Sequence, residues 1–477
     1  MTSRVVRRTK AQNQGSQVSV VNMIPKSLSG EEQQDSEPTI AVNPANPMQI
    51  AGSAFTPDPA GGDRAPIYVS LDGGASWTLN SIVPSTANDG SMTADITVAF
   101  GNASNILYAG IIRFPFPGDK TRLNILRTTN FQATNMMTVL SDRTGKGVDQ
   151  PYVQAVTVAN GAQKGSDRIY VGNNDFNAPN GHTATIDMSL NASGAKPKFK
   201  SIRIESRTTP GQDGPSIRPA IHSDGTVYGA FYAWRSFNQS TGAGTADVIV
   251  VRDDKGGAGS PSFAALVDPN DHLAGIRIAQ GVTFRFNAFL GLQRIGGDVA
   301  IAVDPSDSAK VYAAWADNQG ATYTIHLRAS SDRGATWSAH DLRTIPHATN
   351  PALAVNTDGK AAFLYQQLNG AGASQRWNST VELANSGGWH PVVLASVPAN
   401  NPAKKFDPYI GDYDHLMSVG KDFYGVFSAS NIPDMANFPN GVIFQRNADF
   451  KRKVLLDIDG SSQVAVSIDP FFFRIDG

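Results

Sequence analysis

The chain of 477 residues contains no cysteine. That excludes disulfides, thiol nucleophiles and thiolate-bound zinc, and leaves oxygen, imidazole and guanidinium groups to carry any chemistry. Charge is also scarce: Asp, Glu, Lys and Arg make up 17% of the residues, against about a quarter in an ordinary globular chain. With 40 basic and 41 acidic residues the net charge is −1, so no global basic field is available to hold a nucleic acid. No apolar run approaches the roughly 18 residues that would span a bilayer. The opening, with Arg4, Arg7, Arg8 and Lys10, is basic but lacks the apolar core of a secretory signal. Residues 1–15 therefore read as a solvated arm, and the expected location is the cytoplasm, or outside the cell by a non-classical route. The eight histidines form no HExxH motif, no glycine-rich phosphate loop leads from a strand into a helix, and "DPNDH" at 268–272 lacks the further carboxylates of a calcium loop.

Glycine and proline, by contrast, are plentiful, at 45 and 28 residues, as suits a chain of short strands and many turns. One phrase recurs seven times: an apolar strand, a turn, and a second strand rich in small and aromatic residues. It starts near residues 37, 93, 150, 214, 298, 350 and 407, as in "EPTIAVNPANPMQIAGSAF" from Glu37 and "DVAIAVDPSDSAKVYAAWAD" from Asp298. Asn43-Pro44, Asp224-Gly225, Asp304-Pro305 and Asp358-Gly359 supply the turns. A third strand follows each pair, from "PIYVSLD" in the first unit to "GVIFQRN" in the last, and then a more polar fourth. The repeat length fits a four-stranded antiparallel sheet, and the near-continuous apolar first strand suits a crowded innermost position. The expected fold is all-β: a single seven-bladed β-propeller over 16–477, with an insertion near 265–296. Either "SQVSVVNMI" from Ser16 or "QVAVSIDPFFFRI" near the C-terminus closes the ring.

Two octets stand 260 positions apart, "SLDGGASW" at 70–77 and "SSDRGATW" at 330–337. Each falls at the turn between third and fourth strands. There Asp72 or Asp332 accepts turn amides, Gly74 or Gly334 takes positive φ, and Trp77 or Trp337 buries its ring, with Ser70 and Ser330 opening the motif. Degenerate copies occur at "RTTNFQATN" from Arg127 and "VRDDKGGAG" from Val251. The octet resembles the Asp-box, or bacterial neuraminidase repeat, of the sialidase-like β-propellers. In that family these boxes are scaffold on the face opposite the site.

Carboxylates recur just before the inner strands, at Glu37, Asp95, Asp149, Asp213, Asp298 and Asp407, with Asn350 in the sixth unit. Each is a turn cap or one of several groups converging on a cation or a sugar. The loops between second and third strands add Arg113, Trp234, Arg235 and Trp315, whose guanidinium and ring faces suit a polyhydroxylated ligand or blade packing. The resemblance implies an exo-sialidase site: three arginines on the substrate carboxylate, here Arg113, Arg218 and Arg235, with Tyr409 or Tyr413 as the phenol nucleophile. Asp407 and Asp149 are the candidate acids and Asp298 a further ligand-binding group. The Phe/Tyr-Arg-Ile-Pro motif of the family is absent, since "EPTIAVNP" stands in its place, and Glu205 has no assignable tyrosine. The expectation is that the three arginines line the funnel without a complete Tyr/Glu pair. The expected function is a glycan-directed propeller, lectin or glycosidase, that takes a glycan or small polar ligand at the funnel; the alternative is a non-catalytic scaffold for a protein partner. No organic cofactor is expected, and an axial divalent cation is compatible with the carboxylates.

Overall fold

The computed structural model describes residues 17–55, 65–83, 92–114, 121–134, 137–143, 147–177, 183–207, 215–238, 240–285, 298–319, 322–403 and 409–477. These residues form seven four-stranded sheets and one small three-stranded sheet, with every strand pairing antiparallel. Among them no helix is long and apolar enough to cross a membrane.

The inner strands of the seven sheets are Ser36–Val42, Met92–Phe100, Val148–Thr157, Arg218–Ile221, Val299–Asp304, Ala348–Val355 and His415–Val419. Each packs against the next, and the seventh returns to the first. Segments of all seven line one axial channel of about 430 Å³, among them Ile40–Val42, Val98–Phe100, Ile301–Val303 and Leu353–Val355. The chain is a β-propeller. The inner strands must be apolar on both faces because one side meets the neighbouring sheet and the other the channel. In Ser36–Val42 every residue is buried.

The seventh sheet is assembled from both ends of the chain. Its order is Val18–Asn22, Ile468–Ile475, Asp422–Ser430, His415–Val419, with Val18 opposite Ile475 and Phe423 opposite that same residue on the other side. Both candidate closing strands are therefore used, one as the outer strand and one as the third. "GVIFQRN" is not the third strand: Ile443 instead bonds the free edge of the N-terminal strand, exchanging backbone hydrogen bonds with Val20 and Asn22 at 3.0 and 2.8 Å. The segment between 431 and 467 also carries the small sheet, Ala448–Asp449, Val454–Leu456 and Gln463–Val464. "IDPFFFRI" wins the third position because its residues are buried almost throughout, which an edge segment could not achieve. A second correction concerns the insertion expected near 265–296. It contains the fourth strand of the fourth sheet, Ile276–Arg285, paired with Ala243–Asp253, and residues 286–297 lie outside the described set. The seventh inner strand also begins later than the repeat implied, at His415 rather than near 407.

Both octets fold to the same set of bonds. In the first, Ser70 Oγ accepts the Gly74 amide at 2.9 Å and donates to Asp72 at 2.8 Å; Asp72 accepts the Ser76 amide at 2.9 Å and its hydroxyl at 2.6 Å, and Trp77 Nε1 donates to Gly74 O at 3.1 Å. Ser330, Asp332, Gly334, Thr336 and Trp337 repeat these bonds with the same lengths. In the degenerate copies the first position alone persists: Asp253 accepts the amides of Lys255 and Gly257, and Thr128 accepts that of Asn130. Ser189 and Asn385 make the equivalent turn bonds to Asn191 and Gly387. These two turns lack the octet's spelling and escaped the sequence search.

Trp77 meets Phe472 of the seventh sheet edge-on at 5.4 Å, so this turn fastens the first sheet to the last. Gly74 has φ +91°, and a Cβ there would lie 2.0 Å from the Phe472 ring, whereas at Gly334, φ +80°, the nearest atom would be Leu266 Cδ1 at 3.3 Å. Both alanine substitutions incur the left-handed backbone cost of about 1–2 kcal/mol; only the first also overpacks a fixed aromatic cluster, at about 1–3 kcal/mol more. Urea denaturation should therefore rank Gly74→Ala below Gly334→Ala in stability. Equal losses would show that the ring of Phe472 moves freely aside.

Candidate functional site

At the point where the inner strands converge, one guanidinium gathers groups from several sheets. Arg218, at the start of the fourth inner strand, donates from Nη1 to Ser216 Oγ at 2.7 Å and from Nη2 to Asp298 Oδ1 at 2.8 Å. Its Cζ lies 4.6 Å from the ring centre of Tyr152, on the third inner strand, and 5.5 Å from that of Tyr413. Guanidinium over a phenol face is favourable at this range. His415 closes the group from the seventh sheet: its Nδ1 accepts the Ile40 amide of the first sheet at 3.1 Å, and its ring meets Tyr152 edge-on at 5.8 Å. Tyr152 and His415 also border the axial channel.

Carboxylates surround this core. Asp298 lies in the field of Asp412, and Tyr413 in the fields of Asp95 and Glu37. Asp412 donates its amide to Glu37 Oε1 at 3.2 Å, and Asp414 accepts the Ser428 amide at 3.4 Å. None of Glu37, Asp95, Arg218, Asp298, Asp412, Tyr413, Asp414 and His415 is more than 7% exposed. The close fit depends on Gly411, φ +81°, where a Cβ would stand 2.5 Å from Glu37 Cγ. Glu37 itself takes φ +54° in a bulge at the start of the first inner strand, and Gln150 and Asn350 repeat this in the third and sixth. In each case the next residue is proline, and the bulge turns the preceding side chain away from the pleat.

Burial sets the electrostatics. It raises Asp298 to about 6 despite the opposing pull of Arg218, and Asp412 pushes the same way as burial. It holds Asp414 far above the usual carboxylate range, with one oxygen left without a hydrogen bond. The Tyr413 hydroxyl is likewise unbonded, and burial with Asp95 and Glu37 raises it strongly. The His415 imidazole is lowered to about 4, first by burial and then by Arg218. Its Nδ1 acts as an acceptor towards Ile40, as a neutral ring can.

Of the residues expected at the site, Arg218 and Asp298 come together. The rest are placed elsewhere or lie outside the described set. Arg113 bonds Asn124 at 3.4 Å, and Asn124 bonds Asp142 at 2.9 Å, a chain that leads outward across the second sheet. Arg235 is the extra residue of a bulge between Trp234 and Ser236, which aims it at Asp247, shared with Arg277. Arg218 and Arg235 bond different carboxylates, Asp298 and Asp247. Trp234 packs on Phe284 at 4.5 Å, and Trp315 stacks on His326 at 5.4 Å with Arg328 at its face; both are core residues. Tyr409 is buried with its hydroxyl donated to Pro402 O at 3.0 Å; Tyr413, the other candidate, has its ring centre 5.5 Å from the Arg218 guanidinium. Asp149 accepts its neighbour's amide, the capping arrangement, at 3.0 Å. Glu205 accepts the amide of Arg207 at 2.7 Å and lies in the fields of Arg207 and Arg235. Asp407 and Asp213 lie outside the described residues. Tyr152, inside the third inner strand, read as an ordinary strand residue, and Asp412, Asp414 and His415 escaped the sequence reading because the seventh phrase was placed some eight residues early. The polar run "GDYDH" directly before the strand was the available signal.

No family model matches the chain, and no curated protein matches it in sequence. Among solved structures it is similar to the α-L-arabinofuranosidase Arb93A of Fusarium graminearum, at 10% identity and a TM-score of 0.44 over 94% of this chain and 97% of the other. It is similar to the α-L-arabinanase of Penicillium chrysogenum, at 12% identity and 0.43 over 95% and 98%. The NanB sialidase of Streptococcus pneumoniae follows at 11% and 0.40, over 95% of this chain and 70% of that one. The architecture of the present chain stands on its own ring of sheets.

His415 and Asp298 pull the acid response in opposite directions. The imidazole takes its proton near 6.5 when unfolded but only near 4 when folded, so its stabilising contribution is whole above 6.5 and is lost as the pH falls through 4. Asp298, raised from 3.8 to about 6, gains its proton earlier in the folded chain and favours folding as the pH falls from 6 through 3.8. His415→Gln removes only the first effect. Urea denaturation at pH 6.5 and 4.5 should then show the variant gaining on the native chain in acid, by up to about 3 kcal/mol. A parallel pH response in the two proteins would count against a buried, neutral imidazole.

Proposed function

We propose that the axial cluster recognises a neutral, hydroxyl-rich sugar, and that Asp298 is its proton donor in glycoside hydrolysis. The observation that carries this reading is the convergence of Glu37, Asp95, Asp298, Asp412 and Asp414 around the single guanidinium of Arg218. Carboxylates accept sugar hydroxyls in pairs, and a guanidinium donates to ring or hydroxyl oxygens. A carboxyl group held near 6 still carries its proton in mildly acidic water, as a general acid requires, while a neighbouring ionised carboxylate serves as base or nucleophile.

The same charge balance argues against an anionic sugar. A sialic acid carboxylate needs several guanidinium groups on one point, and here Arg235 is turned to Asp247 within its own sheet. Surplus negative charge at the axis repels such a substrate.

One observation favours the scaffold reading. Met435, Ile443, Phe450 and Ile458 are exposed, and all four belong to the segment that interrupts the seventh sheet. Exposed apolar residues gathered on one excursion suit a protein contact.

A panel of p-nitrophenyl glycosides assayed from pH 4 to 8 separates these readings. Neutral pentosides or hexosides should be turned over, sialosides should not, and Asp298→Asn should lower kcat at least about 100-fold while circular dichroism shows the sheets intact. Brisk sialoside turnover, or a chain that neither binds nor cleaves any neutral glycan, would overturn the proposal.

A further inference from the structure

Away from the axis, three carboxylates meet in the interior at the seam where the two chain ends join. Glu31 and Asp35 belong to the connection between the N-terminal strand and the first sheet, and Asp469 to the C-terminal strand. One oxygen of each lies within 4.8 Å of the other two, and all three residues are buried. Asp469 is held in place: Oδ1 accepts Asn431 Nδ2 at 2.6 Å and Ser467 Oγ at 3.0 Å, while Oδ2 accepts Asn22 Nδ2 at 2.7 Å and Arg446 Nη1 at 3.2 Å. Arg446 also bonds the carbonyls of Ser29 and Glu31. Its Nη1 stands 3.8 Å from Glu31 Oε2.

The Tyr68 side chain supplies the independent indication of a ligand. It is fully buried on the third strand of the first sheet, its hydroxyl bonds to no group, and it lies in the field of all three carboxylates. Glu31 Oε2 is likewise buried without a hydrogen bond. A phenol beside three acids would normally donate to one of them, so a gap separates these groups that a small guest can bridge.

We propose that Glu31, Asp35 and Asp469 hold a divalent cation of calcium type, with Tyr68 beside it, and that this ion locks the N-terminal connection to the C-terminal strand. Calcium takes oxygens at about 2.3–2.6 Å, so ligands across it stand about 4.6–5.2 Å apart, against about 4.0–4.2 Å across magnesium. The three carboxylate oxygens, all within 4.8 Å of one another, are close enough to share one such ion. Water completes the shell.

Calorimetric titration of calcium into the chelator-stripped full chain should give one saturable site, as a buried cluster does and scattered surface carboxylates do not. The melting temperature should rise with calcium concentration and respond less to magnesium. Terbium bound to the native chain should luminesce on tyrosine excitation and be displaced by calcium, a measurement that needs no variant. Glu31→Gln should weaken binding at least about tenfold. Absence of saturable heat and of any melting shift at millimolar calcium, or unchanged affinity in a folded Glu31→Gln chain, would overturn the proposal.

Discussion

The structure depends on one pairing: Val18–Asn22 against Ile468–Ile475. A ring of sheets leaves two unpaired edges until its ends meet, and unpaired strand edges in a folded core are costly and prone to wrong pairing. Here the pairing brings both ends of the chain into one sheet, so the ring closes only when the whole sequence is in place. Two further contacts reinforce the seam. Trp77 inserts against Phe472, and Asn22 bonds Asp469 across 447 positions of sequence. Ile443 then covers the outer edge with backbone bonds, so the closing strand is itself not left open.

Closure also creates the axial cluster. Arg218, Asp298, Tyr152 and His415 belong to four different sheets, and their mutual distances are fixed by the ring rather than by any local segment. Buried polar groups of this kind are tolerated because each is held by a partner from a neighbouring sheet: Ser216 and Asp298 for Arg218, Ile40 for His415. The same low dielectric separates their acid strengths, raising Asp298 and Asp414 while lowering His415. Each member of the site belongs to an inner strand or to the residues that lead directly into one.

Much of this was legible in the residues. The sevenfold phrase gives seven four-stranded sheets, and the spelling of two octets gives two identical turns, because a turn's hydrogen bonds are made within a few residues. The turns at Ser189 and Asn385 were not legible, since one accepting side chain suffices there and many residues can supply it. "GVIFQRN" looked like a strand by composition but lost the third position to "IDPFFFRI". Two segments of similar pattern compete, and burial against the neighbouring sheets chooses between them. Arg235 shows the same limit: its phrase points to the axis, yet a bulge of one residue turns it to Asp247.

The sequence by itself determined the repeat, the antiparallel sheets, the Asp72 and Asp332 turns, and the absence of sulfur chemistry. These follow from periodicity, turn chemistry and composition, all of which act over short stretches of chain. Only the tertiary structure decided that Arg218 meets Asp298, Tyr152 and Tyr413 at the axis, that Arg235 turns to Asp247 within its own sheet, and that Glu31, Asp35 and Asp469 meet at the seam. Those arrangements join residues up to some four hundred positions apart. Their geometry is set by how whole sheets pack around the channel, and no local pattern encodes it.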